Sequence, residues 1–247
     1  TAPSLTTAPS VQPKLISASG SAANTNIVNG FSNQVRGDFN FVNGNQNAAT
    51  GLSNLINGNV NDVKGILNKI EGNFNGVTGI GNGVQGGANQ VNGVQNIVNG
   101  NFNALQGNQN VAVGNANLGV GDFNKLLGDW NFAIGSGNTA VGNVNKILGN
   151  SNFANGQFNV ISGSNNGVKG DVNNINGNAN SAIGSFNTIN GIQNNVQGNI
   201  NNVAGQNNGI VGNQNVAVGH VNTIVGSSNN ANGSLNFING NINNVNG

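Results

Sequence analysis

Between Gly30 and Gly247 the chain repeats one pattern every seven residues: Gly, two variable positions, Asn, a variable position, an apolar position, and a last variable one. Thirty-one such units, Gly-x-x-Asn-x-Φ-x, follow one another without insertion; Φ is Val, Ile, Leu, Ala or, once, Gly119. A period of seven first suggests a coiled coil. Each heptad, however, carries a Gly that costs roughly 1 kcal/mol inside a helix, together with several Asn. Helix is therefore excluded. Pairs such as Asn57-Gly58 and Asn99-Gly100 would suit hairpin turns, but isolated hairpins do not explain an unbroken register.

The pattern predicts stacked short strands. In x-Asn-x-Φ-x the side chains alternate, so Asn and Φ point inward and the three x positions outward. Gly makes the corner, where positive φ or close backbone approach excludes a Cβ. Two heptads then close one flattened coil of 14 residues. The residues before each Asn support 14 over 7. One alternating set runs Val60, Phe74, Ala88, Phe102, Ala116, Trp130, Val144, Phe158, Val172, Phe186, Ile200 and is apolar throughout. The set between, from Ser53 and Leu67 to Gln193, is mostly small or polar. The predicted fold is thus an all-β solenoid over residues 24–247 with about 16 coils, some 75 Å long at ordinary strand spacing. Stacked Asn amides would form hydrogen-bonded ladders along it.

Units such as Asn194-Asn195-Val196-Gln197-Gly198 and Asn201-Asn202-Val203-Ala204-Gly205 resemble the Asn-x-Val-x-Gly repeats of the plant ice-recrystallisation-inhibiting antifreeze proteins. That resemblance implies a left-handed β-roll with Asn ladders and an affinity for ice. A second, local resemblance lies in Asn110-Val111-Ala112-Val113-Gly114, Asn131-Phe132-Ala133-Ile134-Gly135 and Asn215-Val216-Ala217-Val218-Gly219. These are similar to the head repeats of trimeric autotransporter adhesins, and imply β-rolls joined side by side through apolar outer residues.

The outward positions weigh these two implications. Ice binding calls for a regular outer array, commonly of Thr, yet outward Thr stands only at Thr50, Thr78, Thr139, Thr188 and Thr223. Outward apolar residues cluster instead at Val111, Val113, Leu118, Val120, Leu127, Phe132, Ile134, Val141 and Leu148, and again at Val211, Val216, Val218 and Val225. A patch of that kind marks a contact surface. The central Φ between such flanks is often small, as in Val111-Ala112-Val113, so a locally reversed facing is the alternative. The Phe and Trp column has two readings as well, core packing at the corner or contact with a partner. The last unit, with Asn241, Ile242, Asn243 and Val245, carries no recognisable cap and is expected to behave as an open coil end.

Composition narrows the chemistry. Only 5% of the 247 residues are charged, the net charge is +1, and the Lys and Arg are scattered, so no basic patch exists for nucleic acid. There is no Cys for a disulfide or thiolate site, and no apolar run spans a bilayer. His220 stands alone at an outward corner. Asp122 and Asp129, one heptad apart, fall on opposite sides of a coil and cannot share acid and base work. No catalytic, cofactor-binding or metal site is expected, and no cofactor. Residues 1–23, where Thr1-Ala2-Pro3-Ser4 recurs as Thr7-Ala8-Pro9-Ser10, read as an extended Pro/Ser/Thr-rich arm. The start at Thr1 and the absence of Cys and Met suit a secreted, extracellular protein. The expectation is a non-enzymatic structural solenoid that associates with itself into a filament or sheet through apolar faces and open coil ends. The alternative is an ice-binding protein, and a cell-surface polymer is a further candidate partner.

Overall fold

The computed structural model describes residues 25–247, so the arm expected at 1–23 lies outside the described residues. It is a β-solenoid of 32 short strands, from Ile27–Asn29 to Asn244–Asn246, with no helix among the described residues. Alternate strands belong to two parallel sheets of 16 strands each. The first sheet begins with Ile27–Asn29 and the second with Gln34–Asp38. Every strand pairs with the one 14 residues on, as in Leu126 opposite Ala140 and Ala133 opposite Ile147. Two heptads therefore make one coil.

The stretch 125–138 is representative. Lys125–Leu127 forms a first-sheet strand, and the chain turns through Gly128, Asp129, Trp130 and Asn131 into the second-sheet strand Phe132–Ile134. It returns through Gly135, Ser136, Gly137 and Asn138 to Thr139–Val141. The corner that carries Trp130 is termed the ridge corner, and the one that carries Gly137 the opposite corner.

Each corner has two conformational demands. Gly135 sits at φ +121°, and a Cβ there would overlap the carbonyl oxygen of Gly149 in the next coil. The residue before Asn adopts the left-handed region at every corner from Ser32 to Ile242, for example Trp130 at φ 59° and Val144 at φ 58°. Outside Gly this conformation costs roughly 1–2 kcal/mol, and β-branched residues tolerate it worst. Stacking holds it in place: the Trp130 backbone N–H donates to the Asn115 carbonyl at 2.9 Å.

Two ladders of buried Asn line the edges of the interior, and a double row of apolar side chains fills the space between. Asn138 shows how a buried amide is satisfied. Its backbone N–H and its Nδ2 both donate to Asn124 Oδ1 at 3.1 Å, and Nδ2 also donates to the Gly149 carbonyl at 2.6 Å. Its own Oδ1 accepts the matching pair from Asn152, each at 3.1 Å. Among the described residues no buried side-chain nitrogen or oxygen lacks a partner. That completeness fixes Asn at this place, because an unpartnered buried polar group costs about 1–3 kcal/mol.

The apolar core is divided near the middle. One cluster runs from Val28 to Ala112 and the other from Leu126 to Ile238. Gly119 lies between them, and the space that a side chain would take there is approached by Leu105 Cδ2 and Leu126 Cδ1.

Candidate functional site

With the interior occupied by Gly, Asn and Φ, any function falls to the exterior. The apolar outward residues do face out. Ala112, Gly119 and Ala133 are buried while their flanks Val111, Val113, Leu118, Val120, Phe132 and Ile134 are half-buried or exposed, so local reversal does not occur.

These residues do not form one surface. Consecutive heptads fall on opposite sheets, so the cluster divides into two patches lying back to back. On the first sheet Val113, Leu127 and Val141 stack in one column, with Val111 beside them. On the second, Val120, Ile134 and Leu148 stack, with Leu118 beside Phe132. Lys125 and Lys146 interrupt the neighbouring columns. The later group divides likewise: Val211 pairs with Val225 on the first sheet, and Val216 and Val218 lie on the second. The open-end residues Asn241, Ile242 and Asn243 are exposed and Val245 is half-buried.

The ridge corner carries a row of large exposed side chains through the middle section, where the opposite corner carries only Phe123, 62% exposed. Phe102 is 70% exposed, Trp130 68% and Phe158 54%, so the aromatic column is not core. Its spacing carries information that the apolar reading of the column passed over. Phe74, Phe102, Trp130, Phe158 and Phe186 recur every 28 residues, one in each second coil, with Ala88, Ala116, Val144 and Val172 between. Between Phe102 and Trp130, over Ala116, lies a shallow open hollow lined also by Ala104, Asn115 and Leu118.

Beside the ridge runs an outer polar ladder that the heptad pattern did not reveal. The residue after each Gly is mostly Asn, Asp or Ser there, and its side-chain oxygen accepts from the backbone N–H of the equivalent residue one coil earlier. Asn101 accepts from Gly87 at 2.8 Å, Asn115 from Asn101 at 3.0 Å and Asp129 from Asn115 at 2.7 Å. On the opposite corner Asp122 accepts from Asn108 at 2.7 Å. The two carboxylates thus cap backbone on different corners. The bonds from one inner Asn to the next run the other way, from each coil to the one before. The signal for the outer ladder was the Asn and Asp excess directly after Gly.

His220 is exposed. Among the described residues two ion pairs, Lys64 with Asp62 and Lys69 with Glu71, are exposed on the sheet faces, where such pairs contribute little. No group of three His, Cys, Asp or Glu is placed to hold a metal among the described residues. The sequence matches no protein-family model and no curated protein.

Proposed function

We propose that this protein is a structural solenoid that packs side by side with copies of itself, building a filament or sheet in an extracellular setting. The observation that carries the reading is the pair of apolar patches at the same height on opposite faces. A single apolar face would stop at a pair of molecules, whereas two back-to-back faces allow each rod to be flanked on both sides. The rows are straight because every strand repeats its neighbour's register, so one rod offers another a regular surface.

Electron microscopy of the native protein, with variants on each face, tests this. Native protein is expected to form laterally extended assemblies. Val120→Lys with Ile134→Lys, or Val113→Lys with Val141→Lys, should each block stacking through the altered face, and all four together should abolish lateral stacking through both faces. Lys is already accommodated at the equivalent outward position in Lys64 and Lys169, both exposed, so these changes leave the coil intact. Native rods that stay dispersed at every concentration would overturn the proposal, and dispersed rods that suppress ice recrystallisation would put the ice-binding reading in its place.

A further inference from the structure

The ridge corner is a third surface, independent of the two faces, and its pattern specifies its own partner. Five aromatic side chains stand at every second coil, about 9.5 Å apart at twice the strand spacing, with Ala, Val or Ile between them. Knobs and notches thus alternate over ten coils. A molecule that meets its own ridge in a closed pair must be related to it by a two-fold axis. An axis along the rod would set every aromatic against its own copy. An axis perpendicular to the rod, between Trp130 and Val144, reverses the order of ten coils, and because ten is even each knob meets a notch.

We propose that two copies of this chain pair antiparallel along the ridge corner, interleaving their aromatic side chains. In this register Trp130 lies opposite Val144, Phe158 opposite Ala116 and Phe186 opposite Ala88 of the other copy. Interleaved rings would stand about 4.8 Å apart along the rod, within the range of roughly 4.5–7 Å that favours aromatic pairs. Charge agrees with the register. Asp129 comes level with Asn143 of the second copy and Asp171 with Asn101, so no carboxylate is level with another. Each aromatic buries roughly 150–250 Å² when fully covered. Five partly exposed aromatics with the smaller residues between them bring each copy near the ~800 Å² typical of a specific interface.

Trp130 is the only Trp, which makes its emission a direct reporter of the ridge. Emission is expected to move to shorter wavelength as protein concentration rises, in step with formation of the pair in sedimentation. Ala116→Phe fills one notch and should weaken pairing at least about tenfold, the scale of a filled interface centre. The fold accepts it, since Phe102 occupies the equivalent position at φ 58°. Adding Phe158→Ala to Ala116→Phe exchanges knob and notch at that level and should restore pairing to within about threefold of native. The chain has no Cys, so Val144→Cys, near the axis, should be joined to its copy by a short thiol cross-linker, whereas Ile200→Cys should not. Trp130 emission that ignores concentration, a double variant as weak as Ala116→Phe, or preferential joining through Ile200→Cys would each overturn the proposal. Because Lys changes on the faces leave the ridge untouched, lateral assembly that survives such a result would leave the face reading standing.

Discussion

The two corners of each coil share a skeleton and differ in what they carry. Both turn at a positive-φ Gly, both place the next-but-one residue in the left-handed region, and both pin the interior with a satisfied Asn ladder. On the ridge corner the residue after Gly is mostly a capping Asn or Asp and the following one is alternately aromatic. On the opposite corner Leu52, Ile66, Ile80 and Val94 hold the first of these positions in the early coils, where the strand runs on through the turn as in Asp62–Ile66 and Gly76–Ile80, and capping residues such as Asn108, Asp122, Asn150 and Asn178 take it over further along. The lesson is that the inward residues alone define the coil, while the outward ones diversify without disturbing it.

The largest test of that equivalence lies at the glycines. Gly135→Ala on the opposite corner and Gly142→Ala on the ridge corner each drive a Cβ into the carbonyl oxygen of the next coil's Gly. Each should lose more than about 4 kcal/mol in urea unfolding, the range reserved for severe steric damage. A corner that accepts Ala would break the comparison.

Next come the inner amides. Asn138→Asp and Asn145→Asp replace a donor that faces two oxygens with a third oxygen. Each should cost about 3–5 kcal/mol at pH 7, as an uncompensated buried charge does. Burial and the facing acceptors raise the folded-state pKa of the new carboxyl above its unfolded value. Its penalty therefore grows as pH rises from the unfolded to the folded pKa, and disappears on acidification below both. Stability measured against pH checks the sign.

Smaller effects sharpen the contrast between corners. Val60→Asn on the ridge corner should gain about 1 kcal/mol by relieving a β-branched residue held at φ 58°, while Gly137→Ala opposite, at φ 69° where a Cβ would make only ordinary contacts with Ser151, should lose about 1 kcal/mol. The least effect is expected at the exposed caps. Asn101→Ala should cost only about 0.5 kcal/mol, since the Gly87 N–H can turn to water. Ile80→Asn, which installs such a cap on the opposite corner, should gain no more than that.

The fold was legible because the residues that build it are the invariant ones. Gly, Asn and Φ point inward, and a period of seven with two unlike alternating sets implies a coil of 14. The left-handed turn before each Asn was not legible, since Phe, Trp, Val and Ile at those positions argue locally against it and only stacked backbone bonds override them. The candidate surface was legible residue by residue but not in its layout. Val113 and Val120 are neighbours in sequence, yet consecutive heptads belong to different sheets, so one apolar cluster became two faces. The 28-residue spacing of the aromatics was present in the sequence too, but means something only once each coil is known to be one rung.

Near the middle of the rod, four of the five inward positions from Ala112 to Ala140 hold only Ala or Gly, with Leu126 alone between them. Bulk has been moved from the inside of the wall to its outside at that height. The waist should therefore open more readily than the Ile-rich section beyond it, its amides trading hydrogen for deuterium sooner than those between Ile175 and Val203. Anything that seats itself against the waist would act as a splint, bracing from outside a stretch whose inside is thinly filled.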